Sequence, residues 1–324
     1  MLFSVVVPVK NAQRELPDCI LSVLRQPFRD FELILVYSPS KDDSFDCCRR
    51  FANIESRIRI VKTDGETAFA AKKIGVEEAQ GEYVTVLYPD GKMGEDLLSA
   101  AKDAIGKESA DLVAYPKTRP DASADLPDHS YVEDKDELRA LLLSRTGINK
   151  HFVGFFAKKD LYLTAMSYYH EGIAADEDDL LVFAAIARAK GIRFFAEGGG
   201  YAYLGKTYFP RPHGWTRIES EEILFQRLNA VADESDCSFV RDNIALHAFF
   251  VTEKELLLLA QNGKKEEFYD AFLRVTNSAY YYALKRKEYV GLKKTERRLL
   301  KALVKKRRRL AFWLLRRRPS RRKG

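Results

Sequence analysis

Carboxylates crowd one point of this chain, where Asp176, Glu177, Asp178 and Asp179 are consecutive. Each negative charge disfavours ionisation of the next, and a carboxylate tuned upward in this way suits a general base. Four residues of helix exceed one turn, so the four acids cannot all face one cleft. The same run also reads as an acidic helix start, which the macrodipole favours unaided. Leu180, Leu181, Phe183, Ala184 and Ile186 follow at a spacing that suits a buried face. A second candidate is Asp90, in Tyr88-Pro89-Asp90-Gly91. Magnesium is often held by one protein carboxylate and completed by substrate phosphates and water, while Pro-Asp-Gly is equally a common turn. Lys72-Lys73 offers cations to a ligand, or a solvated helix face. His151 and His170 stand alone and read as hydrogen-bonded surface or loop residues. No Gly-X-Ser-X-Gly elbow, phosphate-cradling Gly-X-X-X-X-Gly-Lys loop or His-Glu-X-X-His helix occurs. Gly198-Gly199-Gly200 follows a strand but opens no clear helix.

The elements that must position these groups alternate in type. A strand ending in proline, Ser4-Val5-Val6-Val7-Pro8-Val9-Lys10-Asn11, precedes a helix over 16–26. Apolar strands over 31–36, 81–90 and 111–115 follow, the last after a helix over 96–105. Strands alternating with helices predict parallel βαβ units, whose ligands bind beyond the carboxyl ends of the strands. The polar loops that matter lie at such ends. A stretch with three prolines, 115–134, reads as an excursion over the sheet edge, followed by a helix near 135–144 and the segment 149–156. A last strand spans 192–196, and from about residue 220 the text is helical, over 222–232, 239–261 and 266–287.

The order, spacing and wording of residues 1–205 resemble the amino-terminal half of inverting family-2 glycosyltransferases. The resemblance implies an α/β, GT-A nucleotide-diphospho-sugar transferase fold, with a mostly parallel central sheet flanked by helices, to which the helical text beyond it adds a C-terminal helical appendage. The chain is thus expected to divide into a transferase domain (1–205), a helical region (206–290) and a tail (291–324). It implies transfer of a sugar, with inversion, from a nucleotide-diphosphate donor to an acceptor. Asp90 falls on the last aspartate of the family's Asp-X-Asp and would hold Mg2+ or Mn2+, while Tyr88 replaces the first. Tyr37 stands where the family has an aspartate for the nucleobase, and would stack on the base or have no ligand role. Lys72, in Ala70-Ala71-Lys72-Lys73-Ile74-Gly75, replaces an arginine that contacts the nucleotide, without its planar bidentate reach. Pro8, Val9 and Asn11 would line the donor site. Asp178 falls on the general base beside Glu177, and a register two residues earlier selects Asp176-Glu177 instead. Asp42 and Asp43 read as caps of the next helix. His213 lies in a loop that would fold over the acceptor. Because Tyr37 and Tyr88 replace acids, a second reading stands beside the enzyme: a non-catalytic scaffold or partner of a cell-envelope enzyme, with a decayed donor site.

With 324 residues, 46% of them hydrophobic, the chain can bury one large core, with or without a smaller appendage. It opens without a signal-peptide pattern and holds no run of the roughly 18 apolar residues a spanning helix needs. Cys19, Cys47, Cys48 and Cys237 have no metal spacing and read as reduced, partly buried thiols. The formal charge of +7 is unevenly spread. Residues 293–324 carry 16 Lys/Arg and one acid, Glu296, while the first 292 hold 38 basic and 46 acidic residues, a net −8. Nucleic acid is therefore not the expected partner of the body. In the tail, Leu292, Leu299, Leu300, Leu303, Val304, Leu310, Ala311, Leu314 and Leu315 share one helix face, opposite Lys294, Arg297, Arg298, Lys301, Lys305 and Arg308. With Phe312-Trp313 near its end, this describes an interfacial helix for an anionic membrane surface, beside which an RNA- or partner-binding tail and a disordered solvated extension stand as alternatives. The expected setting is cytoplasmic, peripheral on the cytoplasmic face of the membrane, with a glycan or lipid-linked acceptor.

Overall fold

Strand β1 (Phe3–Val9) is buried at every residue, as expected of a strand covered on both faces. The computed structural model describes residues 1–65, 67–106, 110–114, 155–173, 177–194, 200–203, 214–237, 241–284, 294–305 and 308–316. The expectations for 115–134, 135–144, His151, Asp176, Gly198, Gly199 and His213 lie outside them. The chain divides into two compact units. The first comprises Met1–Leu141, Asn149–Tyr168 and Leu181–Pro210, and the second Leu142–Ile148, Tyr169–Leu180 and Arg211–Gly324.

In the first unit β1 pairs in parallel with β2 (Phe31–Tyr37) and β4 (Tyr83–Val86), and β2 in parallel with β3 (Ile58–Lys62). A short ribbon joins β5 (Gly91–Met93) to β9 (Tyr201–Tyr203). Strands β6 (Leu112–Ala114), β7 (Phe155–Lys158) and β8 (Ile192–Phe194) complete a seven-stranded sheet of order β3-β2-β1-β4-β7-β6-β8. Only β7 runs antiparallel to its neighbours, so the sheet is mostly parallel, as predicted. Pro8 sits in this central strand without breaking the ladder. The Val9 carbonyl accepts from Ser38 on the β2 side, and the Val6 carbonyl accepts from Leu87 on the β4 side. Alternation turns Pro8 toward β4, where the ladder ends at the Val6–Val86 pair, and the N–H that proline lacks is the donor a further rung to Leu87 would need.

Helices α1 (Leu16–Leu24), α2 (Ser44–Ile54), α3 (Ala68–Glu78), α4 (Leu97–Ile105) and α5 (Lys159–Ser167) flank the sheet. One core runs through Val5, Val7, Leu33, Leu35, Ile20, Leu97 and Phe156. Gly75 sets the depth of α3: a Cβ there would lie 2.3 Å from Val6 Cγ1 and 2.9 Å from Val36 Cγ2, so only glycine lets the helix rest on β1 and β2. At the amino ends of the strands, buried Glu32 accepts from the Ser4 hydroxyl at 2.6 Å and from the Gln80 amide at 2.6 Å, and pairs with Arg59 at 2.9 Å. This polar knot leaves the carboxyl ends for function.

Helix α6 (Glu177–Arg188) follows, with Leu180–Ala187 buried throughout. The second unit is helical: α7 (Trp215–Glu234), α8 (Arg241–Gln261), α9 (Lys265–Asn277), α10 (Ala279–Leu284), α11 (Lys294–Val304) and α12 (Arg308–Arg316). Helix α8 is its centre, touched by α7, α9, α10 and α12. Leu299, Ala302, Ala311 and Leu315 of the last two helices are buried, and the Phe312 ring meets Phe268 edge-on at 5.1 Å. Of the stripe predicted to meet lipid, Leu299, Ala311 and Leu315 are thus covered by protein, while Leu310 is exposed.

All four cysteines are free and buried. Burial, and then the neighbouring Cys47, pushes the Cys48 thiol up to about 12. No helix among the described residues is long and apolar enough to cross a membrane.

Candidate functional site

Beyond the carboxyl ends of β1 and β2, two loops are laced together. Asn11 takes a left-handed φ of 49°, which asparagine tolerates better than most residues. That turn lets its side-chain oxygen accept from the Lys41 amide at 2.7 Å while its own amide donates to the Ser40 hydroxyl at 3.1 Å. The Ala12 amide donates to the Ser44 hydroxyl at 2.8 Å, and the Gln13 amide to Asp42 at 3.0 Å. Burial raises the Asp42 carboxyl, yet bonds from the Ser44 hydroxyl and from the Gln13 and Ser44 amides hold it below the ordinary carboxylate value. Asp42 also receives the Ser44 amide at 3.1 Å. Asp43 holds the N-cap position of α2 without a side-chain capping bond, so of the two predicted caps only Asp42 acts on the helix amides.

Tyr37, at the end of β2, accepts from the Ser40 amide through its hydroxyl at 3.2 Å. Its ring lies 4.9 Å from that of Phe45, over which Lys62 Nζ sits at 4.3 Å. Pro8 and Val9, with Val9 buried, form the floor from which this rim rises.

The second part lies past β4. Thr67 caps α3 by accepting from the Ala70 amide at 3.1 Å. On that helix Lys73 is half exposed and pairs with Glu77 at 3.8 Å, whereas Lys72 is fully buried. A solvated face therefore describes Lys73 and not Lys72. The reason is Gly75, one turn on from Lys72 on the same helix face, which seats that face against the strands. Lys72 Nζ donates to the Tyr88 hydroxyl at 3.1 Å. Tyr88 opens a turn closed by the Gly91 amide on its carbonyl at 2.8 Å, and Asp90 within that turn is 5% exposed. Burial and then the Asp90 charge push the Cys19 thiol far up, which places that carboxylate near α1. No cluster of three or more His, Cys, Asp or Glu side chains stands at metal spacing among the described residues. A cation at Asp90 would take the rest of its shell from substrate phosphates and water, a donor set magnesium accepts.

The acid-bearing start of α6 lies in the other unit. Glu177 and Asp178 are partly exposed, and Asp179 is turned inward and 2% exposed. His247 of α8 puts Nε2 3.7 Å from Asp179 and 3.8 Å from Glu221 of α7. Arg217 pairs with Glu221 at 3.3 Å, and all four side chains are buried. One member of the acid run is thus drawn away from the others, into a buried set that alternates acidic and basic side chains.

A parallel sheet with its polar loops gathered at the carboxyl ends suits a nucleotide ligand. Residues 4–160 match the model of "Glycosyl transferase family 2". That match covers just under half of the chain, and over those residues the chain is similar to glycosyl transferase family 2. Streptococcus pneumoniae "Glycosyltransferase GlyG" is 32% identical over 113 residues, 35% of this chain and 38% of that relative. The chain therefore spans well under half the length of that relative. S. aureus TarS in complex with UDP-GlcNAc shares the fold with a TM-score of 0.73 at 15% identity, covering 97% of this chain and 90% of that one. Mannosyltransferase PcManGT from Pyrobaculum calidifontis, in complex with GDP-Man and Mn2+, follows at a TM-score of 0.53 and 17% identity, over 97% and 86%.

Pro8, Val9, Asn11, Tyr37, Lys72, Tyr88 and Asp90 all fall in the first unit, at or beyond the strand ends. Lys72 and Tyr88 are in direct contact. Glu177 and Asp178 fall in the second. The lacing by Gln13, Ser40, Asp42 and Ser44 was not anticipated as part of the site, nor was the set of Arg217, Glu221 and His247. Gly75 inside a helical stretch was the one available signal for the burial of Lys72.

Proposed function

We propose that the chain transfers a sugar from a nucleoside-diphosphate donor to an acceptor hydroxyl, with inversion at the anomeric carbon. The contact that carries this reading is Lys72 on Tyr88 beside Asp90, at the carboxyl end of β4 in a family-2 scaffold. A buried ammonium next to the expected diphosphate position neutralises charge on the leaving group. Asp90 would hold Mg2+ or Mn2+, which supplies Lewis-acid stabilisation of the same phosphates when bound. The Mn2+ and GDP-Man of the Pyrobaculum neighbour, and the UDP-GlcNAc of TarS, support donors of this class. Tyr37 presents a ring to the base in place of an acid. Asp178 takes the acceptor proton, and attack opposite the departing phosphate inverts the centre; Glu177 assists as its neighbour, and Asp179 is held by His247. We place the acceptor, a glycan or lipid-linked chain, at an anionic membrane surface on its cytoplasmic side.

One observation favours the scaffold alternative. Both tyrosines that replace family acids have engaged hydroxyls, Tyr37 with Ser40 and Tyr88 with Lys72. Calorimetric titration of UDP, GDP, CDP and their sugars, with and without Mn2+, separates the two readings. Metal-dependent binding that Asp90→Ala abolishes supports the enzyme. Absence of binding by every nucleotide supports the scaffold.

A further inference from the structure

The last two helices are amphipathic, but their apolar stripe is occupied. Leu299 and Ala302 of α11, and Ala311 and Leu315 of α12, are buried within the helical unit, and α12 lies on α8 and α9. What faces outward is different in kind. On α11 and just past it, Lys294, Arg297, Arg298, Lys301 and Lys305 are exposed. On α12, Trp313 is 49% and Leu310 40% exposed, with Arg309 exposed beside them. Helical spacing puts Arg309 and Trp313, four apart, and Leu310 and Trp313, three apart, on one face, the face opposite Ala311 and Leu315. What sets this face apart from the other exposed apolar side chains is that Trp313 and Leu310 lie on the helix whose neighbour carries a row of exposed cations.

We propose that this outer face docks the folded protein on an anionic lipid surface. The cations are drawn to the headgroups while Trp313 and Leu310 enter the interface, and the buried stripe stays on α8 and α9. Charge selects this occupant. The tail carries the chain's positive excess and the first 292 residues are net −8, so an anionic headgroup layer is the charge-complementary surface for this face, and a polyanion that also ran along the acidic body would be repelled there. Tryptophan and leucine edges suit the boundary between headgroup and acyl chain. The proposal deepens the membrane side of the function given above, and it stands apart from the donor reading because its test reads partition and not transfer.

The test uses the full chain with Trp215→Phe, which leaves Trp313 as the sole tryptophan of the two. Vesicles of phosphatidylcholine with a third phosphatidylglycerol are compared with pure phosphatidylcholine by sedimentation and tryptophan emission. Docking predicts partition to the anionic vesicles only, a blue shift of Trp313, and weakening by salt. The triple variant Lys301→Glu, Lys305→Glu, Arg309→Glu should lower partition at least tenfold, and Trp313→Ser severalfold. The triple variant should leave the thermal midpoint and circular dichroism unchanged, since its altered side chains are exposed. Equal partition to neutral vesicles, no partition to either, or displacement from anionic vesicles by an RNA oligonucleotide each overturns the proposal. So does loss of the bundle's helical packing on vesicle binding, read as new hydrogen exchange in α12, because the stripe would then have left the protein to insert.

Discussion

Lys72 is the residue whose chemistry depends most on its surroundings. A fully buried ammonium needs partners, and it has the Tyr88 hydroxyl at 3.1 Å. Lys72→Met keeps the stem and removes the charge. If Lys72 meets the donor phosphates, a charged hydrogen bond of about 1.5–3 kcal/mol is lost, so nucleotide affinity should fall roughly 10- to 100-fold by calorimetry. Two tyrosines carry a different prediction. Burial pushes the Tyr83 and Tyr280 hydroxyls up to about 12. The unfolded chain ionises its tyrosines near 10, so it binds fewer protons than the folded chain between about pH 10 and 12. Stability is therefore fully present below pH 10 and declines above it, by on the order of 2 kcal/mol per tyrosine across that window. Denaturant titration at stepped alkaline pH checks this. Tyr83→Phe should flatten part of the decline while losing the bond that Tyr83 donates to the Ala110 carbonyl at 2.7 Å.

At the scale of elements, Gly75 is the test of how α3 presents Lys72. Gly75→Ala forces a methyl to 2.3 Å from Val6 Cγ1, which should cost about 1–3 kcal/mol by overpacking and weaken nucleotide binding through the displaced helix. Chemical denaturation and nucleotide titration of the same variant read the two effects. Strands β1, β2 and β4 were legible as strands because burial on both faces demands near-continuous apolar text. Strand β3 was not, since only Ile58 of Ile58–Lys62 is buried and its charged residues read as loop. The stretch 266–287, expected as one helix, breaks at Ser278, whose hydroxyl donates to the Val275 carbonyl at 2.7 Å and offers the backbone another partner. Helix α7 begins at Trp215, seven residues before the expected start, behind Gly214 with φ 64°. The amphipathic period of α11 and α12 was readable, but a period says only that a stripe must be covered, not by what. Arg217, Glu221 and His247 escaped notice for the same reason: no local pattern joins residues from separate helices to Asp179.

Over the whole molecule, the two units should respond to different perturbations. Glu221→Ala leaves Arg217 and His247 buried with one fewer carboxylate, and breaking such a pair costs on the order of 3–5 kcal/mol. That loss belongs to the helical unit. A nucleotide at a hundredfold its dissociation constant should add about 2.7 kcal/mol to the α/β unit. Differential scanning calorimetry with each perturbation should then move different transitions. Motion of both together would show that the units unfold as one.

The laced loops behind β1 and β2 have a consequence for how binding heat and disorder divide. The amides of Asn11, Ala12, Gln13, Lys41 and Ser44 already have side-chain acceptors. The rim is therefore ordered when the protein folds, and a nucleotide arriving there has little chain left to immobilise. Those amides should exchange slowly with deuterium before any ligand is added, and association should be fast, limited by diffusion and not by closure of the loops.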